Sequence, residues 1–553
     1  MKNLKSTAAI LLALALCFTV AACGGGGEST ATSSAAPPSS SDAAPPSSTA
    51  PPSTDSAQPE GTLQTGEVIE APKDAEFADR IDISTELNVS LLDPQSTGST
   101  FAACRIVFQM VYDRLTNFTE NQELVPELAT SWETDDQQTW IFHLRDDVYF
   151  HNGDKFTAQD VINTWQGAKE APGSLAWDQW LPIEAIDALD EYTVEIVLNA
   201  PYSSFAYNMS LPGAAIINKA AREADPVEGL WVGTGAYYVS DFVSGNTTTL
   251  TRNDNYWGQT PITKVVNFTY VPEVAARTIM QLNDEINVSL SIGPTDNDMF
   301  NEDPNFIVYG YAANSTVSLT FSMLDPITGD LNFRLAVAHA LNREEIAYAT
   351  TGNWARATKD GAFWGDSTPY RNTSIPRLEQ DLDLAKQYLA DSVYNGEEIE
   401  LISGPDTLTL GAQVIQEQLR VIGINVRVNL TDVATLVGLT QYGDENMQML
   451  HFVSPFELNP SSARVMLYPG MSANRASYNN PEVNELLDKV ITIGDPAEQE
   501  LIYHRIQEIV SQEIPQLSLY ERIWTIVTNN RVGGIKINPD MNHDFRGIFM
   551  TVD

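Results

Sequence analysis

The chain has 553 residues and sets 31 lysines and arginines against 73 aspartates and glutamates, a formal charge of −42. Such a balance lacks the basic footprint of a nucleic-acid binder and argues against electrostatic docking on anionic lipid. An acidic field would favour cationic ligands, but a solvated surface that aids solubility is the simpler reading.

Lys2 and Lys5 precede an apolar run from Ala8 to Val20, and Val20-Ala21-Ala22-Cys23 closes it. A positive start, a short apolar stretch and small residues before a cleavage point make a secretory signal. The run is about 15 residues, shorter than the roughly 20 needed to span a bilayer. Because the small residues end in Cys23, the segment resembles a bacterial lipobox. That resemblance implies cleavage after residue 22 and a lipid on Cys23. The exported body would then be anchored at the outer face of the cell membrane, or in the periplasm where an outer membrane exists. Residues 24–66 begin with four glycines and continue in Ser, Ala, Thr and Pro, including Pro37-Pro38, Pro45-Pro46 and Pro51-Pro52. This composition does not offset the entropy of ordering, so residues 23–75 are expected to be a disordered tether. Extended at roughly 3 Å per residue, it would reach on the order of 100 Å. Once Cys17 leaves with the signal and Cys23 takes lipid, Cys104 remains alone among Phe101, Ile106 and Val107, as a buried structural thiol.

From residue 76 the chain reads as an α/β body. Residues 138–144 predict a strand, and 145–153 a short strand and a turn. Thr157 with Asp160 predicts a capping box opening a helix whose stripe is Val161, Ile162 and Trp165. Residues 190–198 predict a strand that Pro201 ends, and 247–252 and 265–271 two more. Residues 333–341 predict a helix, Asn342 caps the next, and Asp381 opens another. Between 397 and 430 a strand, an amphipathic helix ending at Gly423 and a second strand make a βαβ unit, so part of a sheet is parallel. Asp495-Pro496-Ala497-Glu498 predicts a helix start, with Leu501, Ile502, Ile506, Ile509 and Val510 on its apolar face. Leu517–Tyr520 and Ile523–Val527 predict two closing strands.

Motifs of catalysis and metal binding are missing. His143, His151, His339, His451, His504 and His543 show no ligand spacing. There is no nucleophile elbow or phosphate loop, and Gly233-Thr234-Gly235 lacks the third glycine of a dinucleotide site. Acidic pairs abound without carrying information, which leaves a hydrolase with two hidden carboxylates open.

Several ordered segments carry a family resemblance. They are Leu92-Asp93-Pro94, Val111-Tyr112-Asp113-Arg114-Leu115, Leu124-Val125-Pro126-Glu127-Leu128, and Arg145 to Gly153 with Phe156 to Val161. They continue with Gly233-Thr234-Gly235-Ala236-Tyr237, Arg252-Asn253 with Tyr256-Trp257-Gly258, Phe333 to Glu344, and Tyr478 to Val483. From about residue 80 to the end the chain resembles the family-5 extracellular solute-binding proteins, the peptide/nickel class that serves ABC transporters. The resemblance implies a periplasmic-binding-protein-like type II fold. Lobe one would span 76–315, with an inserted subdomain at about 105–228, lobe two 316–515, and residues 516–553 would return to lobe one. Segments near Tyr311–Ser318 and Gln512–Leu519 would form the hinge. It further implies a binding protein without cofactor or metal, expected as a monomer, that closes on a small-molecule or peptide ligand and delivers it to a membrane permease. A surface sensor or adhesin of the same fold is the alternative.

By the same analogy Ser96, Ser99, Thr100 and Phe101 face the cleft, and Trp354, Phe363 and Trp364 supply an apolar wall or pack in the core. Peptide-binding members carry a late Asp that captures the ligand's α-ammonium. The matching stretch here includes Ser454, Phe456 and Glu457; Phe456 stands near the expected Asp and Glu457 is the substitute. A blocked peptide, a sugar, another organic solute or chelated nickel are the further ligand classes. Trp132, Trp140, Tyr256 and Trp257 are expected to pack rather than bind.

Overall fold

The computed structural model describes residues 68–552, apart from 87–88, 90–91, 97–101, 120–122, 172–175, 177–179, 181, 361–362, 366–367, 405–406, 432–448, 454–461, 472–473 and 539–541. The segments expected to be a signal and a tether, with Cys23 between them, lie outside the described residues except for 68–75. None of the described helices is long and apolar enough to cross a membrane.

Among the described residues the strands fall into four sheets. The largest, eleven-stranded among the described residues, contains β1 (Arg80–Thr85), β8 (Tyr237–Val243), β9 (Thr247–Arg252), β10 (Val265–Tyr270), β11 (Val288–Ser289), β12 (Phe306–Phe321), β13 (Ala355–Ala357), β14 (Glu398–Ser403), β15 (Asn425–Leu430), β16 (Met449–Val453) and β17 (Gln516–Asn529). Its order is β15-β14-β16-β12-β17-β11-β1-β10-β9-β8, with β13 on β17. A four-stranded sheet runs β4 (Ala129–Glu133), β5 (Thr139–Leu144), β7 (Thr193–Leu198) and β6 (Ile183–Asp190). Two small pairs, β2 (Thr116–Phe118) with β3 (Leu124–Pro126) and β18 (Val532–Gly533) with β19 (Phe549–Met550), complete the set.

Much of this follows from the local sequence. Thr157 donates its amide to Asp160 at 2.9 Å and starts the helix Ala158–Lys169. Asn342 accepts the Glu345 amide at 3.0 Å, and Asp495 accepts the Ala497 amide at 2.9 Å. The βαβ unit is β14, the helix Thr407–Ile422 and β15, with Gly423 at φ 97° ending the helix where a side chain would be strained.

Four expectations are corrected. Leu501 is 69% exposed, so the apolar face of the helix Pro496–Glu513 is carried by Ile502, Ile506, Ile509 and Val510 without it. The segment 190–198 begins as the turn of a hairpin, with β7 starting only at Thr193. The two closing strands are one, β17, because Glu521 and Arg522 continue the ladder with β12 and β13. A charged pair in mid-strand hides the continuity from a hydrophobic pattern. The short strand expected within 145–153 is a single bridge, Tyr149 to Lys155.

The apolar cores separate into two lobes joined at β12 and β17. In lobe one, Ile81, Ile83, Val107, Val266 and Phe268 pack with Ile535, Phe545 and Ile548 from the end of the chain. Cys104 is buried in this core. The inserted subdomain has its own core, Phe142, Val161, Trp180, Val194 and Phe205 among others, on the four-stranded sheet. In lobe two, Leu319, Phe333, Leu401, Ile415 and Leu519 form one core, and Phe363, Trp364, Leu487, Tyr503 and Ile506 a second.

The motif residues of lobe one make a buried polar stitch. Asp113 accepts from the Trp257 indole at 2.9 Å, the Thr234 hydroxyl at 2.9 Å and the Tyr256 hydroxyl at 3.1 Å. Glu127 accepts from the Arg114 amide at 2.8 Å and from Arg546 at 2.9 Å, and Arg546 also holds Asp544 at 2.8 Å. Tyr256 and Trp257 are therefore structural donors, and Trp140 and Trp132 stack on Phe142. Burial, and then the neighbouring Glu127, raise the Asp113 carboxyl to about 6 against the pull of Arg546. Gly233 is glycine because a Cβ would lie 2.0 Å from the Val111 carbonyl oxygen.

His543 tests this core by titration. It is 1% exposed, its Nδ1 accepts from the Asn538 amide at 3.1 Å, and its ring meets Tyr311 edge-on at 4.6 Å. Burial lowers its pKa to about 3. Between that value and the ordinary 6.5 the unfolded chain takes a proton that the folded chain refuses, so stability falls as pH drops through this window. The slope approaches about 1.4 kcal/mol per pH unit. Urea midpoints at pH 7, 6 and 5 are expected to decline more steeply in the natural protein than in a His543→Gln variant; parallel declines would contradict the assignment.

Candidate ligand-binding cleft

Strand direction places the cleft. In lobe one, β1, β10 and β11 are mutually parallel, and β11 is antiparallel to β17. In lobe two, β14, β15 and β16 are mutually parallel, and β16 is antiparallel to β12. Because β12 and β17 are themselves antiparallel, the two parallel sets run toward each other. The last residue of β11, Ser289, is level with Val527, and the last residue of β16, Val453, is level with Ser318. Between them Tyr309 to Val317 of β12 cross with β17 alone, and the register shifts between Ala312 and Thr316. Open α/β sheets bind ligands beyond the carboxyl ends of parallel strands. Here two such sets of ends face one crevice.

One face of the crossing is polar and the other apolar. Val317, Leu319, Leu517, Leu519 and Tyr520 enter the lobe-two core. On the opposite face the Thr316 hydroxyl lies 3.1 Å from those of Ser318 and Ser518, and Gln516 donates to Ser318 at 2.9 Å. Glu521, 1% exposed, stands level with Thr316, with Arg356 at 3.7 Å. Gly365 closes over it: a Cβ there would lie 2.1 Å from the Glu521 carboxylate. Arg522 stacks on the Trp524 ring at 4.0 Å. Sequence patterning missed these residues, because hydroxyls and charges inside a strand read as solvent-facing. The signal available was the run of polar residues in two segments already expected to cross.

The candidate contact residues fall as follows. Ser96 is described and partly buried, in a turn where its amide donates to the Asp93 carbonyl at 3.0 Å. Ser99, Thr100 and Phe101 follow in the connection from β1 and lie outside the described residues, as do Ser454, Phe456 and Glu457 directly after β16. Trp354 and Trp364 are each 1% exposed and in different clusters. Trp354 packs on Ile292, Phe300, Val308, Ile523 and Val527, and its indole donates to Asp298 at 2.8 Å. Trp364 packs between Phe363 and Tyr503. Both rings are spent on packing, because each has apolar neighbours on its faces. Among the described residues no group of three or more His, Cys, Asp or Glu is placed to hold a metal ion.

Residues 123–472 match the family model of bacterial extracellular solute-binding proteins, family 5 middle region. The chain belongs to this family. The nickel-binding periplasmic protein of Escherichia coli K12 is 23% identical over 494 residues, covering 83% of this chain and 92% of that protein. Di/tripeptide-binding protein 4 of Pseudomonas aeruginosa is 26% identical, covering 79% and 89%. Among solved structures, NikA of Brucella suis in complex with Fe(III)-EDTA superposes with a TM-score of 0.77 at 22% identity, covering 86% of this chain and 100% of that one. DppA of Helicobacter pylori with the peptide STSA gives 0.76 at 23% identity, covering 86% and 98%. The fold is the two-lobed periplasmic-binding-protein type with an inserted subdomain. Members of this family are extracytoplasmic solute-binding proteins and not enzymes.

Proposed function

We propose that this protein is the membrane-anchored substrate-binding component of an ABC importer, which captures a peptide or a similar small solute between its lobes and delivers it to a permease. The observation that carries the reading is the pair of opposed parallel strand sets whose carboxyl ends meet at a polar crossing. Ligand favours the closed form through contacts made only when the lobes shut. The lobes span 76–315 and 316–515, with residues 516–553 returning to lobe one. The protein acts as a monomer, tethered through residues 23–75 by lipid on Cys23. Ser96, Ser99, Thr100, Phe101, Ser454, Phe456 and Glu457 contact the solute, with Glu457 toward its cationic group. Similarity to both peptide and nickel binders supports the class of protein and leaves peptides as the leading solutes.

Thermal unfolding against di- to octapeptides, oligosaccharides, and nickel with and without chelators tests this. A ligand at about 1,000 times its dissociation constant adds roughly 4 kcal/mol, a visible rise in midpoint. Peptides are expected to give it. A rise with sugars or a metal complex alone would reassign the solute class. Glu457→Ala is expected to weaken binding of a free-amine peptide by about tenfold or more, as a lost charged hydrogen bond does; unchanged affinity would remove Glu457 from the site.

A further inference from the structure

The lobes touch at a second place that contains no residue of β12 or β17. The Ser203 amide of the inserted subdomain donates to the Ile491 carbonyl of lobe two at 3.3 Å. The Gln499 side-chain amide donates to the Ser203 hydroxyl at 2.9 Å and to the Ile493 carbonyl at 2.6 Å, and its oxygen accepts from Tyr370 at 3.4 Å. Each side is held firmly. Gln137, at φ 60° in the β4–β5 turn, accepts the Tyr202 amide at 2.8 Å and the Trp140 indole at 3.1 Å on its carbonyl. Tyr370 stacks on Tyr503 at 5.5 Å. Gly494 lies so close that a Cβ there would sit 2.0 Å from Gln137 Nε2.

We infer that Ser203, Gln137, Ile491, Gly494 and Gln499 form a closure latch that biases the lobes shut independently of solute contacts. Rotation about the crossing strands moves the subdomain relative to the helix Pro496–Glu513 and breaks this seat. The latch therefore contributes only to the closed form, and apparent solute affinity scales with the fraction closed. Losing the Gln499 to Ser203 bond, the one of its bonds that crosses between the lobes, is worth a three- to tenfold fall in that fraction, on the order of one ordinary hydrogen bond. The inference rests on the two-lobed fold and not on the solute class.

Ser203→Cys/Ile491→Cys in the full chain tests it without any solute, since adjoining backbones bring these Cα atoms near the span of a disulfide. Under mild oxidation with diamide the pair is expected to cross-link, as read by mass spectrometry of the joined peptides. Because Ser203→Cys itself removes the hydroxyl that Gln499 bonds, the added change is Gly494→Phe, whose ring meets Gln137 across the seat and should slow cross-linking three- to tenfold. Gly494 is exposed, and an unchanged thermal midpoint shows that the lobes themselves are intact. Absence of the cross-link, or equal rates in the two proteins, overturns the latch. A failed peptide panel with this rate difference intact would count against the solute class alone.

Discussion

Arg546→Met is expected to lower stability by about 3–5 kcal/mol, because it removes a guanidinium shared by three largely buried carboxylates, Asp113, Glu127 and Asp544. Arg546 holds Asp544 with both Nε and NH2, reaches Glu127 at 2.9 Å, and lies 3.7 Å from Asp113. The indole and hydroxyl donors around Asp113 satisfy lone pairs but not charge, whereas Glu127 keeps the buried Arg114 guanidinium at 3.2 Å. Arg546→Lys should recover only part of the loss, since an ammonium does not span two carboxylates in a fixed fork. The pH dependence carries the sign. Asp113 already titrates near 6, above the usual carboxylate range, so its folded form binds the proton more tightly and protonation near pH 5 relieves the repulsion. Urea titrations at pH 8 and pH 5 should show a larger deficit at pH 8. A deficit under about 1 kcal/mol at both would mean that the stitch is surface-like in energy.

Trp354→Ala should cost about 3–5 kcal/mol as well, by a different mechanism. The indole, at the end of the lobe-two helix Arg343–Thr351, fills a cluster whose other walls are Ile292 and Phe300 of lobe one and Val308, Ile523 and Val527 of the crossing strands. Its loss opens a cavity at the junction and leaves Asp298 without the 2.8 Å indole donor. Trp354→Phe should cost less, since it keeps most of the volume and forfeits the hydrogen bond. Calorimetry makes the check: the Ala variant is expected to show a lower midpoint and a broadened transition as the lobes uncouple. A midpoint within a degree or two of the natural protein would show that the cluster is not load-sharing.

Elements with a strong local signal were legible in the sequence. The helix caps at Thr157, Asn342, Asp381 and Asp495, and the βαβ unit ending at Gly423, depend on a few adjacent residues and stand where expected. The crossing was legible only through the family resemblance. Phe306–Phe321 has no clean alternation, because its two faces change partners along its length: aromatic in lobe one, hydroxyl at the junction, aliphatic in lobe two. The cleft itself is placed by strand direction, which no local sequence pattern carries, and the two candidate contact segments 99–101 and 454–457 lie outside the described residues. Trp354 and Trp364 show the limit of that reading, for a tryptophan near a cleft and a tryptophan beneath it look alike until packing is known.

The order in which the chain is made bears on the stitch in lobe one. Its first strand, Arg80–Thr85, shares a core with Ile535, Phe545 and Ile548, and its Asp113 and Glu127 wait for Arg546. A nascent chain therefore reaches lobe two before it possesses the pieces that finish lobe one. Lobe two and the inserted subdomain, each with a core drawn from contiguous stretches, are free to condense early, whereas lobe one assembles last around the returning segment. For a polypeptide threaded outward through a membrane, such a late-closing lobe remains an open chain until its final stretch has emerged.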